Sequence, residues 1–145
     1  MHPSKRNEIV FADTAYWIAL LYPQDNLHLR VRSLSASLGG VRIVTSEMVL
    51  TELLNDFAGR GENLRRIAVN LIQQMREDPQ VLISPQTSAL FREAFLLYSH
   101  RGDKAWSQTD CASFCIMRDH GITQALTHDR HFEQAGFVAL LREER

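Results

Sequence analysis

Only two cysteines occur among the 145 residues, Cys111 and Cys115, four apart in a helical pattern. That spacing puts both on one helix face, and no second cysteine pair exists to complete a zinc site. They read as buried free thiols, which suits a reducing compartment. Long uncharged runs are missing as well. Lys5 and Arg6 precede an apolar stretch in the manner of a signal peptide, but Glu8 and Asp13 interrupt it and nothing approaches the length of a membrane span. The expectation is a soluble, cytoplasmic protein with no membrane partner.

Neither sign of charge is in excess: 16 Lys and Arg face 17 Asp and Glu, for a formal net charge of -1. This excludes a polybasic, non-specific nucleic-acid binder. It leaves a nuclease open, because an acidic site offsets basic residues elsewhere in the sum. Solenoid repeats, low-complexity tracts and composition-shifted linkers are all absent. What is present is an ordinary composition, 45% hydrophobic over 145 residues, which predicts one domain spanning 1–145 with a sizeable core.

The apolar run Ile9-Val10-Phe11-Ala12 predicts a buried first strand over about 8–13, and a helix over 14–22 follows, stopped by Pro23. Asp25 is placed as the cap of the next helix, which carries Leu27, Val31, Leu34 and Leu38 and ends at Gly39-Gly40. Residues 41–45 read as strand two, and Ser46 opens a helix with its stripe on Val49, Leu50, Leu53, Leu54 and Phe57. A longer helix through Leu64, Ile67, Leu71, Ile72 and Met75 ends before Pro79. Strand three covers 81–83, and a helix on Leu90, Phe91, Ala94, Leu97 and Tyr98 closes at Gly102. A helix over 110–120, strand four over 122–127, a short turn after Asp129 and strand five over 137–141 complete the chain. Alternation of this kind indicates βαβ units, so the expected class is α/β with a mainly parallel sheet covered on both faces.

Four acids stand where chemistry gathers in such sheets. Asp13 and Asp129 fall just past strand ends, the edge on which ligands bind, although a helix cap is the competing reading for each. Glu52 shares a helix flank with Asp56, where a solvated glutamate is ordinary, and Glu47 suits the positive end of the helix dipole. Ser107-Gln108-Thr109-Asp110 has the form of a capping box, which does not prevent Asp110 from also facing the strand ends. Carboxylates gathered in one cleft repel until protons or a cation join them. Magnesium takes oxygen ligands and leaves room for phosphate, a combination suited to phosphodiester hydrolysis.

Four segments in order carry a resemblance: Phe11-Ala12-Asp13-Thr14; Thr45-Ser46 leading to Glu52-Leu53-Leu54; Trp106-Ser107-Gln108-Thr109-Asp110-Cys111-Ala112-Ser113-Phe114; and Leu126-Thr127-His128-Asp129-Arg130-His131-Phe132. The chain resembles a stand-alone PIN domain, similar to the VapC ribonuclease toxins of toxin–antitoxin pairs, over nearly its whole length. The resemblance implies a three-layer α/β/α fold whose five-stranded sheet runs in the order 3-2-1-4-5. It implies an endoribonuclease dependent on Mg2+ or Mn2+, leaving a 3′-hydroxyl and a 5′-phosphate. Asp13, Glu52, Asp110 and Asp129 match the family's catalytic and metal-binding quartet. Asp13 and Asp129 are expected to hold the main site, Asp110 to assist, and Glu52, favoured over Glu47 by its Glu-Leu-Leu context, to complete or orient the water shell. Thr14, Thr127 and Arg130 are expected to line the substrate.

The implied partners are RNA, an antitoxin protein and a second copy of the chain, for which the apolar helices over 46–59 and 61–78 are the expected surface. The rival reading is a catalytically silent PIN-like RNA-binding or scaffold module. A receiver-type phosphoacceptor domain fits poorly, because strand three ends in Ser84-Pro85 rather than an acid. Trp17 and Trp106 read first as packing residues and only second as base-stacking ones. His128 and His131 lack the helical partners of an HD phosphohydrolase. Asp103 receives no role.

Overall fold

The computed structural model describes residues 8–142. Five strands form, β1 (Ile9–Ala12), β2 (Arg42–Ser46), β3 (Val81–Ser84), β4 (Gln124–Leu126) and β5 (Val138–Ala139). The helices are α1 (Thr14–Leu21), α2 (His28–Ala36), α3 (Glu47–Phe57), α4 (Glu62–Glu77), α5 (Ser88–His100), α6 (Gln108–Asp119) and α7 (Arg130–Gln134). The sheet order is β3-β2-β1-β4-β5, and every pairing is parallel. The expected α/β class, strand order and parallel sense are therefore all present.

The central strand β1 is a continuous apolar run because both its faces are covered: Val10, Phe11 and Ala12 are buried. The chain steps outward from β1 to β2 and β3, then crosses back to β4 and β5. Right-handed crossovers consequently place α1 to α4 on one face and α5 to α7 on the other. Contacts follow that division, with α1 against α2 and α3, α3 against α4, α5 against α6 and α6 against α7.

Two sets of interactions fix the strand ends where the acids stand. Thr45 is fully buried; its hydroxyl donates to the Ala12 carbonyl at 2.8 Å and accepts from the Trp17 indole at 3.3 Å. One side chain thus ties β1, β2 and α1 together immediately before Asp13. On the opposite face Phe132 of α7 lies 6.4 Å from Phe11 and meets Phe114 of α6 edge-on at 5.0 Å, while Phe114 meets Trp106 edge-on at 5.0 Å. Each such ring contributes about 1.5–3 kcal/mol by burial, so α6 and α7 are held firmly against the sheet. Gly121, at φ 66°, provides the left-handed turn that leads from α6 towards β4.

Several boundaries differ from expectation. Asp25 does not cap α2, which begins at His28 with no side-chain cap; the Asp25 carboxylate instead accepts the Leu27 N–H at 2.9 Å and closes the preceding turn. Strand five is only β5, and Leu140–Arg142 forms a 3-10 turn. There the Leu141 N–H donates to the Thr127 carbonyl at 3.0 Å and the Arg30 guanidinium to the Leu140 and Leu141 carbonyls, which draws the backbone out of the ladder. Of the two helices expected to keep apolar surface free, α3 buries its stripe apart from Leu54, whereas α4 keeps Leu64, Ile67, Leu71 and Ile72 half-buried and Val69 exposed. The larger exposed group is on α5, where Phe91, Phe95, Leu96 and Tyr98 are each about half exposed. Among the described residues no helix is long and apolar enough to cross a membrane.

Candidate active site

A parallel sheet gathers strand carboxyl ends along one edge, and three acids follow from that geometry here. The Asp13 N–H donates to the Leu126 carbonyl at 3.2 Å, continuing the β1–β4 ladder and bringing Asp13 beside Thr127. The buried Thr127 hydroxyl donates to Asp13 Oδ2 at 2.9 Å and accepts the Asp129 N–H at 3.1 Å. One hydroxyl therefore positions two acids.

Asp13 stands at the N-terminus of α1, yet its side chain makes no capping hydrogen bond, so a cap does not explain it. Its carboxyl pKa is pushed up to about 7, chiefly by burial; the Thr14 N–H and the Thr127 hydroxyl oppose the shift, while the Asp110 and Glu52 charges add to it. Asp129 does cap α7, accepting the His131 N–H at 2.9 Å. Asp110 belongs to a complete capping box: its N–H donates to Ser107 Oγ at 2.9 Å and its Oδ2 accepts the Ser107 N–H at 3.0 Å. For both residues capping and a place at the site coexist.

Glu52 reaches in from α3, and its Oε1 accepts the Thr14 hydroxyl at 2.8 Å. Glu47 points elsewhere: its Oε1 accepts the Gln86 N–H at 2.7 Å, and it lines a separate hollow beside Met75 and Arg76. All four expected acids, with Thr14 and His131, line one open cleft of about 440 Å³. Hollows of about 550 and 490 Å³ also exist, but the first is walled by Phe91, Phe95, Tyr98 and Trp106, the second by Trp106, Phe114 and Phe137, and neither holds any of these acids.

Thr127 lies beneath the cleft rather than on its wall. Arg130 is exposed at the start of α7 and does not line it. Both tryptophans are packing residues, with Trp106 Nε1–H donating to Gln134 Oε1 at 3.0 Å. Asp103 acquires a role, holding the Arg101 fork at 3.0 and 3.1 Å while that guanidinium lies 4.9 Å over the Trp106 ring. His131 is the site residue that spacing alone does not reveal. Its Nδ1 lies 3.0 Å from Asp110 Oδ2 and 3.4 Å from Asp129 Oδ1. The available signal is its position two residues past a capping Asp, which turns the ring back over the cap.

Asp110, Asp129 and His131 each offer a ligand atom, all within 4.8 Å of one another, and among the described residues no Lys or Arg lines the cleft. A surplus of oxygen donors without a protein cation is the donor set of a hard divalent ion.

This acidic cleft on a 3-2-1-4-5 sheet is accompanied by a match of the PIN domain family to residues 10–138. The chain belongs to the PIN-domain family. Within it, the chain is a homologue of the VapC toxin endoribonucleases. It is 31% identical over 138 residues to the 23S rRNA-specific endonuclease VapC20 of Mycobacterium tuberculosis, an alignment that covers 93% of this chain and 100% of that protein. The crystal structure of M. tuberculosis VapC20, described as a Sarcin-Ricin loop cleaving toxin, superposes with a TM-score of 0.79 at 30% identity, over 89% of this chain and 96% of that one. FitAcB from Neisseria gonorrhoeae superposes with a TM-score of 0.62 at 20% identity, over 90% and 94%, a likeness of fold.

The Asp13 shift has a consequence for stability. Between about pH 4 and 7 the unfolded chain gives up the Asp13 proton while the folded, metal-free chain keeps it. Stability from this group is thus lost as pH rises through that window. Urea unfolding in chelator is expected to show Asp13→Asn gaining on the parent by a few kcal/mol from pH 4 to 7 and no further above it. Parallel profiles across the window mean that Asp13 ionises as an ordinary carboxyl.

Proposed function

We propose that the chain acts as a single PIN-like nuclease domain, hydrolysing RNA phosphodiester bonds with a bound Mg2+ or Mn2+, and that it is the toxin of a type II toxin–antitoxin pair. The observation that carries the reading is the convergence of Asp13, Glu52, Asp110 and Asp129 on one cleft that no Lys or Arg among the described residues lines. Asp13, Asp110 and Asp129 are the proposed metal residues. A bound divalent ion supplies an activated water and neutralises charge on the phosphate.

The chain supplies the rest. Asp13 and Ser107, which precede α1 and α6, both line the cleft, so two helix N-termini offset its acidic charge towards an approaching phosphate. Glu52, held by Thr14, orients water at the rim. Attack of a water oxygen on phosphorus breaks the bond to the 3′-oxygen, which takes a proton, leaving a 3′-hydroxyl and a 5′-phosphate. The 23S rRNA specificity of VapC20 supports large ribosomal RNA as the substrate, and its being a toxin supports an antitoxin partner.

A homodimer is the remaining part of the proposal. Phe91 and Phe95 stack with their ring centroids 6.2 Å apart on the exposed face of α5, with Leu96 and Tyr98 also exposed on that helix. An apolar face that bridges to the cleft wall at Ala105 and Ser107 suits an isologous contact between two copies.

Catalysis is tested on 23S rRNA and on a tRNA pool, with and without metal. Asp13→Asn is expected to lower cleavage by ~100-fold or more, and Glu52→Gln far more than Glu47→Gln. Near-full activity of Asp13→Asn removes that residue from the site, the reverse glutamate ranking reassigns the fourth acid, and preferential tRNA cleavage overturns the ribosomal reading. Association is tested by sedimentation. The parent is expected to be dimeric and Phe95→Glu monomeric and folded, whereas a dimeric Phe95→Glu places the contact elsewhere.

A further inference from the structure

We propose that His131 is a direct nitrogen ligand of the cation in this cleft and that it tilts the centre towards Mn2+ over Mg2+. The inference rests on the metal-dependent reading above and adds a ligand of different chemistry to the four acids.

The local chain explains why the imidazole is where it is. Asp129 fixes the first turn of α7 by accepting the His131 N–H at 2.9 Å. Helical side chains lean towards the N-terminus of their helix, so the His131 ring is thrown back over that cap and into the cleft. The next residue, Phe132, is fully buried against Phe11 and Phe114, which keeps α7 from rotating the ring away. His131 is thus pre-placed by a cap on one side and a core aromatic on the other.

The distances fit a shared ion. Donor atoms at right angles around an octahedral cation, each about 2.1 Å from it, lie about 3 Å from one another. His131 Nδ1 stands 3.0 Å from Asp110 Oδ2 and 3.4 Å from Asp129 Oδ1, one contact to each of two acids on different elements. The carboxylates are anchored independently, Asp110 by the Ser107 N–H and Asp129 by the His131 N–H. Backbone groups hold both acids, in the manner of outer-shell partners that orient metal ligands.

The chemistry then separates the two ions. Magnesium is hard, prefers oxygen throughout and parts reluctantly with its waters, whereas Mn2+ accepts an imidazole nitrogen more readily. A cleft of carboxylates alone discriminates weakly between them. One well-placed imidazole moves the balance towards Mn2+.

The test is pulsed electron paramagnetic resonance of the full chain loaded with Mn2+, alongside calorimetric titration of Mn2+ and of Mg2+. The parent is expected to show nitrogen-14 coupling to the bound ion. His131→Gln is expected to lose that coupling and to lower the preference for Mn2+ over Mg2+ by ~10-fold or more. Bound Mn2+ without nitrogen coupling in the parent overturns the inference and leaves the nuclease reading standing, with His131 only a hydrogen-bond partner of Asp110. Coupling that survives in His131→Gln assigns the nitrogen to another residue and also overturns it. Failure of the parent to bind either ion overturns this inference and the metal-dependent reading together. The parent spectrum decides even if the variant folds poorly.

Discussion

The Thr127 hydroxyl donates to a buried Asp13 carboxylate and accepts from the Asp129 backbone, and the site is arranged around that shared oxygen. It is available only because β1 and β4 are neighbours in parallel register, with Ala12 opposite Leu126. A one-residue slip in that ladder would turn Thr127 away and leave Asp13 buried without a partner. Thr45 locks the same strand end from the other side through Ala12 and Trp17. The helices then bring their own acids to a point already set: Asp110 at the start of α6, Asp129 at the start of α7, and Glu52 from α3.

Such a cluster opposes folding. Burial pushes Asp13 towards its neutral form, and the charges of Asp110 and Glu52 push in the same direction. A core built for stability alone would place an apolar residue or a salt bridge there. Persistence of the acids despite that cost is intelligible if a cation completes them during function, since active sites commonly give up stability for chemistry. The two capping acids soften the conflict. Asp110 and Asp129 each cap a helix end while lining the cleft, so two of the proposed ligands stand at positions that helix formation already favours.

Much of this was legible in the residues. The apolar continuity of β1, the helical stripes and the Ser107-to-Asp110 box depend on short-range periodicity and capping, which sequence expresses directly. Order along the chain, together with the family resemblance, selected Glu52 over Glu47; the structure separates them by giving Glu47 to the Gln86 N–H. The failures were long-range. The early end of β5 depends on Arg30 reaching the Leu140 and Leu141 carbonyls from α2, and the free face of α5 depends on which helices the sheet covers. His131 was hidden because its importance lies in a 3.0 Å approach to Asp110, 21 positions earlier. Arg130, its neighbour, is exposed outside the cleft wall.

The central claim is that these acids share one divalent cation at the carboxyl edge of the sheet. It is tested most directly by crystals of the full chain soaked in Mn2+, with anomalous diffraction used to locate the ion. The account predicts a strong anomalous peak inside the cleft, bonded to Asp13, Asp110 and Asp129. A peak only at acids outside it, such as Glu47 or Asp56, or an empty cleft at saturating Mn2+, would contradict the account.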